Sequence, residues 1–284
     1  MNPIREPAVA GHFYPSDAGA LSANVAALLS LPSSGEPPGG RPVALVAPHA
    51  GYVYSGAVAA AAYRVLSPEA FDRVVVIAPS HRVPLRGSSV WDRGAYRTPL
   101  GAVPVDEELA DHILEEARGE VVVEPELHRG EHSLEVQLPF LQSTLGAFRL
   151  VPIVMGRQDE PHPSRLGEAV AAAVRALGPD ARVLLVASTD LSHYHADDRA
   201  RALDGVLVDD LARLDPDALA RDLAAGRCEA CGGGPLLATL HAARALGATR
   251  AEVLSYATSG DVSGDRDEVV GYVAAALYGE RDAS

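Results

Sequence analysis

The sequence predicts a single α/β domain, with a central mostly parallel or mixed sheet flanked by helices. Three observations lead there. The chain has 284 residues and 48% hydrophobic content, enough to bury one full core. Short runs rich in Val, Ile and Leu alternate with helical patterns, the chain order that builds a helix-covered sheet. Those runs are continuous rather than alternating, as expected for strands buried on both faces.

The elements follow in order. Asp17–Leu29 reads as a helix. Ser30–Pro42 holds four Pro, three Gly and three Ser in 13 residues and reads as a surface loop. It sets off only one helix, so one domain is expected over residues 1–284, with its core at about 5–279. Strand Val43–Ala47 leads to helix Ser55–Leu66, with Ser55 as N-cap. Strand Arg73–Ala78 leads, after a long loop, to helix Asp106–Arg118, capped by Asp106. Leu134, Leu138, Leu141 and Leu145 form a helical stripe, and Pro139 either kinks it or marks its true start. Strand Arg149–Val154 precedes helix Ser164–Leu177. Strand Arg182–Ala187 precedes helix His195–Leu211. Asp215 and Pro216 open a helix that ends at Gly226. Gly247 closes the pattern Pro235–Leu246. Ala251–Ala257 is a strand, and Val269–Leu277 fits a strand or a helix.

Composition narrows the function. The net charge is −14, and every cation is Arg. An acidic chain lacks the charge to bind duplex nucleic acid or an anionic membrane. The absence of Lys excludes a Walker A loop, a pyridoxal Schiff base and a kinase-type lysine. No G-x-G-x-x-G fingerprint is present, so no nucleotide cofactor is expected; G-x-S-x-G and H-E-x-x-H are missing too. Met1 to Pro15 has no apolar h-region, and no apolar run is long enough for a membrane span. Two cysteines, Cys228 and Cys231, rule out a disulfide framework, and a cytoplasmic setting is expected.

Histidines carry the main functional signal. His49, His81 and His193 each follow a predicted strand, just past its C-terminal end. Ligands of open α/β sheets bind at that rim because the loops converge there. Neutral imidazole is a good ligand for iron, copper and zinc, and a third ligand is needed. Asp190, Asp261 and Cys231 are the candidates. Cys231 lies just before a predicted helix, whose N-terminal dipole favours a thiolate. Gly232–Gly234 remove side-chain bulk where another group must come close. Cys228 reads as a small half-buried residue. His132 either faces the site or belongs to a helix start capped by Ser133. Tyr52 and Tyr54 line the pocket or pack on their loop. His12, His112, His128, His162, His195 and His241 have no convergent partner and read as solvated or capping groups.

Several of these segments resemble the Memo family, known in prokaryotes as AmmeMemoRadiSam system protein B. They are Ala10-Gly11-His12-Phe13-Tyr14-Pro15, the run Pro48–Gly56, Pro79-Ser80-His81, the run Glu131–Phe140, Asp190-Leu191-Ser192-His193-Tyr194, Cys231-Gly232 and Ser259-Gly260-Asp261. The resemblance runs from about Arg5 to Leu277. It implies the fold of class III extradiol (LigB-type) dioxygenases. It also implies an iron or copper site of His49, His81 and Cys231, with zinc as a further option. Asp190 and His193 would stand beside it as an acid/base or orienting pair, with His132, Ser80, Tyr54 and Asp261 around the pocket. The implied activity is that of a metal-dependent oxidoreductase. Its alternatives are a binding protein for a peptide or for metal handling, and a zinc hydrolase. The prokaryotic family name links such chains to a radical-SAM protein and an AMMECR-type protein. The substrate class expected is a small molecule or a peptide.

Overall fold

Along each central strand, neighbouring side chains enter two different cores. Val75 and Ile77 join one apolar cluster, while Val74, Val76 and Ala78 join the other. This is the period of two of an extended chain with both faces covered. It accounts for the unbroken apolar runs.

The computed structural model describes residues 3–32 and 39–280. The N-terminal half contains β1 (Ile4–Arg5), α1 (Ala18–Leu29), β2 (Pro42–Ala47), α2 (Tyr52–Tyr63), β3 (Arg73–Pro79), β4 (Ser88–Val90), β5 (Ala95–Thr98), β6 (Gly101–Pro104), α3 (Glu107–Glu116), β7 (Val121–Val122) and α4 (Glu126–Arg129). A 3-10 turn (Glu135–Gln137) then runs into α5 (Leu138–Leu145). Next come β8 (Arg149–Met155), α6 (His162–Ala176), β9 (Val183–Ser188), β10 (His193–His195), α7 (Asp197–Ala212), α8 (Pro216–Ala224), α9 (Gly233–Ala245), β11 (Arg250–Thr258), α10 (Gly260–Ser263) and β12 (Val269–Tyr278).

The main sheet has the order β10-β12-β2-β9-β3-β8-β4-β7, with β11 also paired to β12. Strands β2, β9, β3 and β8 are mutually parallel. Strand β12 runs antiparallel to β2, and β4 antiparallel to β8, so the sheet is mixed. Helices α3, α6, α7, α8 and α9 feed one core; α1, α2 and α5 feed the other. Four adjacent parallel strands therefore end on one rim, and the loops after them share it.

Most expected elements are present, with several corrections. Asp17, Asp106 and Asp215 cap their helices, accepting from Ala20, Leu109 and Ala218 N–H. Pro139 sits at the first turn of α5, so it marks the helix start and does not kink it. Val269–Tyr278 is a strand. Its residues alternate between the two cores, Val273, Ala275 and Leu277 against Tyr272, Ala274 and Ala276. Helix α2 begins at Tyr52, so Ser55 is inside the first turn and its hydroxyl donates to Ala50 O. The long loop after β3 contains β4 and the β5–β6 hairpin, which pairs with β1 in a second, three-stranded sheet. Strands this short carry too few residues to show a period. His195 lies on β10, and the helix after it starts at Asp197. The expected 30–42 loop includes residues 33–38, which lie outside the described residues. Among the described residues, no helix is long and apolar enough to cross a membrane.

Candidate metal centre

The rim brings His49, His81 and Cys231 together. One ligand atom from each lies within 4.8 Å of the others. His49 follows β2, His81 follows β3, and Cys231 reaches in from the turn before α9. The His49 and His81 ring centroids are 5.2 Å apart, and Cys231 Sγ is 3.2 Å from His49 Nε2.

Each imidazole is held by its other nitrogen. His49 Nδ1 is 2.9 Å from Ser188 Oγ at the end of β9. The Ser188 hydroxyl donates its one proton to Ser133 O at 2.6 Å. It also accepts from Gln137 Nε2 at 2.7 Å, and Tyr63 OH donates to Gln137 Oε1. With the serine proton used, His49 Nδ1 must carry its own hydrogen, which leaves Nε2 with a free lone pair. His81 Nδ1 donates to Glu131 Oε1 at 3.0 Å, and the His81 backbone N–H donates to Glu131 Oε2 at 2.6 Å. Its Nε2 is likewise left for a ligand.

Charge is tuned by burial. Burial holds the His49 pKa well below the usual imidazole range, with His81 and His132 adding to the effect. Burial lowers His132 to about 4 and lowers His193 as well. Burial alone would raise Glu131, but hydrogen bonds from His81 and Ser133 outweigh it and keep the carboxylate ionised. Burial raises Asp190 to about 7. Burial, then the Asp190 charge, pushes the Cys231 thiol up. This corrects the expectation that the helix dipole alone favours a thiolate. In this setting the anion needs a cation beside it.

Two imidazole nitrogens and one cysteine sulfur converging in this way form a donor set for a transition-metal ion. The residues present fit such a group. Thiolate and imidazole together suit iron, copper or zinc and disfavour calcium or magnesium.

The surrounding residues divide. His132 stands at the site: its ring stacks on His81 at 4.7 Å and lies 5.6 Å from His49. Ser133 is buried and donates to Pro79 O, so it is not the expected helix cap. Asp190 and His193 do not form the expected hydrogen-bonded pair. The Asp190 carboxylate turns to the neighbouring β2 loop and accepts the His49 N–H at 2.7 Å. His193 Nδ1 donates to Leu191 O at 2.7 Å instead. Ser80 donates to Val83 O and closes its own turn. Tyr54 is exposed on α2. Asp261 is taken up by Arg201, Arg266 and the Thr258 N–H, so neither it nor Ser80 contacts the three donors. Cys228 is fully buried in a core cluster, its thiol pushed up to about 12 by burial.

Two histidines expected at the surface are buried. His128 lies between Tyr96 OH and Ser89 Oγ. His162 lies between Glu120 and Ser88, each at 2.9 Å. The Ser88–His162–Glu120 order is that of a hydrolase relay, yet Ser88 has no exposure and offers no nucleophile to a substrate. Sequence reasoning missed Glu131, Gln137, Ser188 and Gln158. Gln137 did leave a signal, as a polar residue between Val136 and Leu138.

Comparison with known proteins agrees with these motifs. A profile of Memo-like proteins matches residues 5–276. A MEMO1 family protein of Methanothermobacter thermautotrophicus is 42% identical over 277 residues, covering 95% of this chain and 98% of the relative. One from Methanosarcina acetivorans is 43% identical over 275 residues, with 95% and 98% covered. One from Methanopyrus kandleri is 39% identical over 281 residues, with 95% and 97% covered. The chain belongs to the Memo family.

Proposed function

From that membership and the donor geometry, we propose that the chain is a metal-dependent oxidoreductase with dioxygenase-like chemistry. It holds one iron or copper ion through His49, His81 and Cys231 and acts on a small organic molecule. The observation that carries this reading is the convergence of the three donors within 4.8 Å, both rings being held by their other nitrogen. When bound, such an ion supplies Lewis acidity and electron transfer at its open positions.

The chain's own residues do the rest. His49 forms the buried wall, Cys231 is half-buried beside it, and the His81 side chain, 30% exposed, faces the entrance. Substrate approaches from that side. Ser188 and Glu131 fix the ring tautomers and orientations. His193 keeps Nδ1 on Leu191 O and is neutral near pH 7, so its Nε2 takes up a proton from substrate. A reducing, cytoplasmic setting preserves the thiol for ligation.

Protein purified without oxygen tests this by metal analysis and oxygen uptake with catechols. The expected result is one iron or copper per chain and catechol-dependent uptake. His193→Ala should abolish uptake and keep the metal. Zinc at that stoichiometry, or bound iron or copper with no uptake on any catechol, would contradict the oxidoreductase reading and favour hydrolysis or metal handling.

A further inference from the structure

Helix α9 starts beside the candidate ligand Cys231, and it lacks a cap of its own. Its N-cap residue is Gly232, with no side chain to accept from the first turn. The usual capping residues Ser, Thr, Asp and Asn cannot stand there. A Cβ on Gly232 would lie 2.4 Å from Ser188 O and 2.8 Å from the Thr189 Cβ. The turn must press this closely on the end of β9 to bring the sulfur to His49. Glycine permits that approach; the Gly233 N–H turns back to Ala230 O at 3.3 Å and Pro235 has no N–H, so Gly234 is the first-turn donor left without a local acceptor.

The acceptor comes from another strand. Gln158 lies in the turn between β8 and α6, on the same rim as His49, His81 and Asp190. Its Oε1 accepts the Gly234 N–H at 2.9 Å. Its Nε2 donates to Cys231 O at 2.8 Å. One side-chain amide thus spans the turn, gripping the cysteine on one side and the helix start on the other. The amide lies directly on the turn, since a Cβ on Gly234 would be 2.8 Å from the Gln158 Cβ. The remaining backbone donors are also held. Gly232 N–H donates to Thr189 Oγ1, and Cys231 N–H donates to Asp190 O. The flanking residues Arg157 and Asp159 pair with each other at 2.9 Å and leave the glutamine free for this task.

We propose that Gln158 is a positioning residue for the Cys231 thiol: it caps helix α9 from the end of β8 and fixes the cysteine main chain in the same stroke. This rests on the reading of His49, His81 and Cys231 as a metal site. Only glutamine has the donor, the acceptor and the length together. Glutamate loses the donor to Cys231 O, and asparagine is one methylene too short for both contacts.

Cobalt(II) titration of the full metal-free chain, without oxygen, tests the role apart from any turnover. In the wild type the near-ultraviolet sulfur-to-cobalt absorption should grow to saturation, and Cys231→Ala should abolish it. Gln158→Ala should bind cobalt about tenfold more weakly or worse, the lower bound for loss of an outer-shell partner. At saturation its sulfur-to-cobalt band should fall to about half or less, while the visible ligand-field bands of the imidazoles persist. Gln158→Glu keeps the acceptor for Gly234, so its thermal midpoint should stay near wild type while its sulfur band still drops. It also carries the comparison should Gln158→Ala fail to fold. A wild type with no sulfur band would overturn the metal site itself. A wild-type band with unchanged affinity and intensity in the folded Gln158 variants would overturn the positioning role and leave the site standing.

Discussion

Two groups of histidines lie in this molecule, and they differ in what is left over. At the rim, His49 and His81 each spend Nδ1 on a supporting protein group and turn Nε2 to the shared centre, where His49 Nε2 meets the other candidate ligand, Cys231 Sγ, at 3.2 Å. Away from it, His128 and His162 spend both nitrogens, on Tyr96 and Ser89 and on Glu120 and Ser88. Both groups are neighboured by acids and hydroxyls. What separates them is one nitrogen turned to a cluster of further donor atoms. A buried ring with both nitrogens satisfied is a cross-link; a ring with one nitrogen satisfied is an aimed ligand.

The contrast can be broken most sharply by deleting donors. His49→Ala and Cys231→Ser should each weaken iron or copper binding by more than about 100-fold, beyond the span of outer-shell changes. His162→Gln should leave metal content unchanged and lower thermal stability instead. Metal analysis and calorimetry on the same preparations check both halves.

A smaller effect is expected one shell out. Glu131→Gln should weaken metal binding by about 10- to 100-fold. Ser188→Ala should fall at the lower end of that range, since a neutral hydroxyl polarises its imidazole less than a carboxylate does. Competition titration with a chelator measures the two. Equal losses would erase the distinction between the carboxylate-backed and hydroxyl-backed ring.

The last contrast separates the groups by pH, in stability and not in metal binding. Burial, then the nearby Arg5, lowers His128 to about 3. The unfolded chain therefore binds a proton that the folded chain refuses between about pH 6.5 and 3. Stability from this residue is complete above pH 6.5 and is lost as pH falls through that window. The slope is about 1.4 kcal/mol per pH unit. His128→Gln should cost about 1–3 kcal/mol at pH 7, because it disturbs two buried hydrogen bonds. It should then flatten the acid limb by that slope. Denaturant unfolding from pH 7 to 4 reads both, and metal content should not change.

Much of the fold was legible because burial on both faces writes itself as continuous apolar runs, as in Val74–Ala78. The three-residue β4 and the β5–β6 hairpin were not, because they are too short to show a period. The rim position of His49 and His81 followed from strand order, and Cys231 from the family motif. Their supports did not follow. Glu131 adjoins the expected helix start around His132 and Ser133, and only the folded chain shows its carboxylate turned onto His81. The family resemblance implied an Asp190–His193 pair, yet the β2 loop supplied a backbone donor to Asp190. His128 and His162 looked solvated because their partners lie in distant segments.

X-ray absorption at the metal edge of the iron- or copper-loaded chain addresses the claimed site most directly. The expected first shell holds one sulfur near 2.3 Å and two imidazole nitrogens near 2.0 Å, as typical thiolate and imidazole bonds do. Cys231→Ser should remove the sulfur, and Cys228→Ser should leave it in place. A shell of nitrogen and oxygen alone in the wild type, or a sulfur that survives Cys231→Ser, would contradict the His49–His81–Cys231 centre.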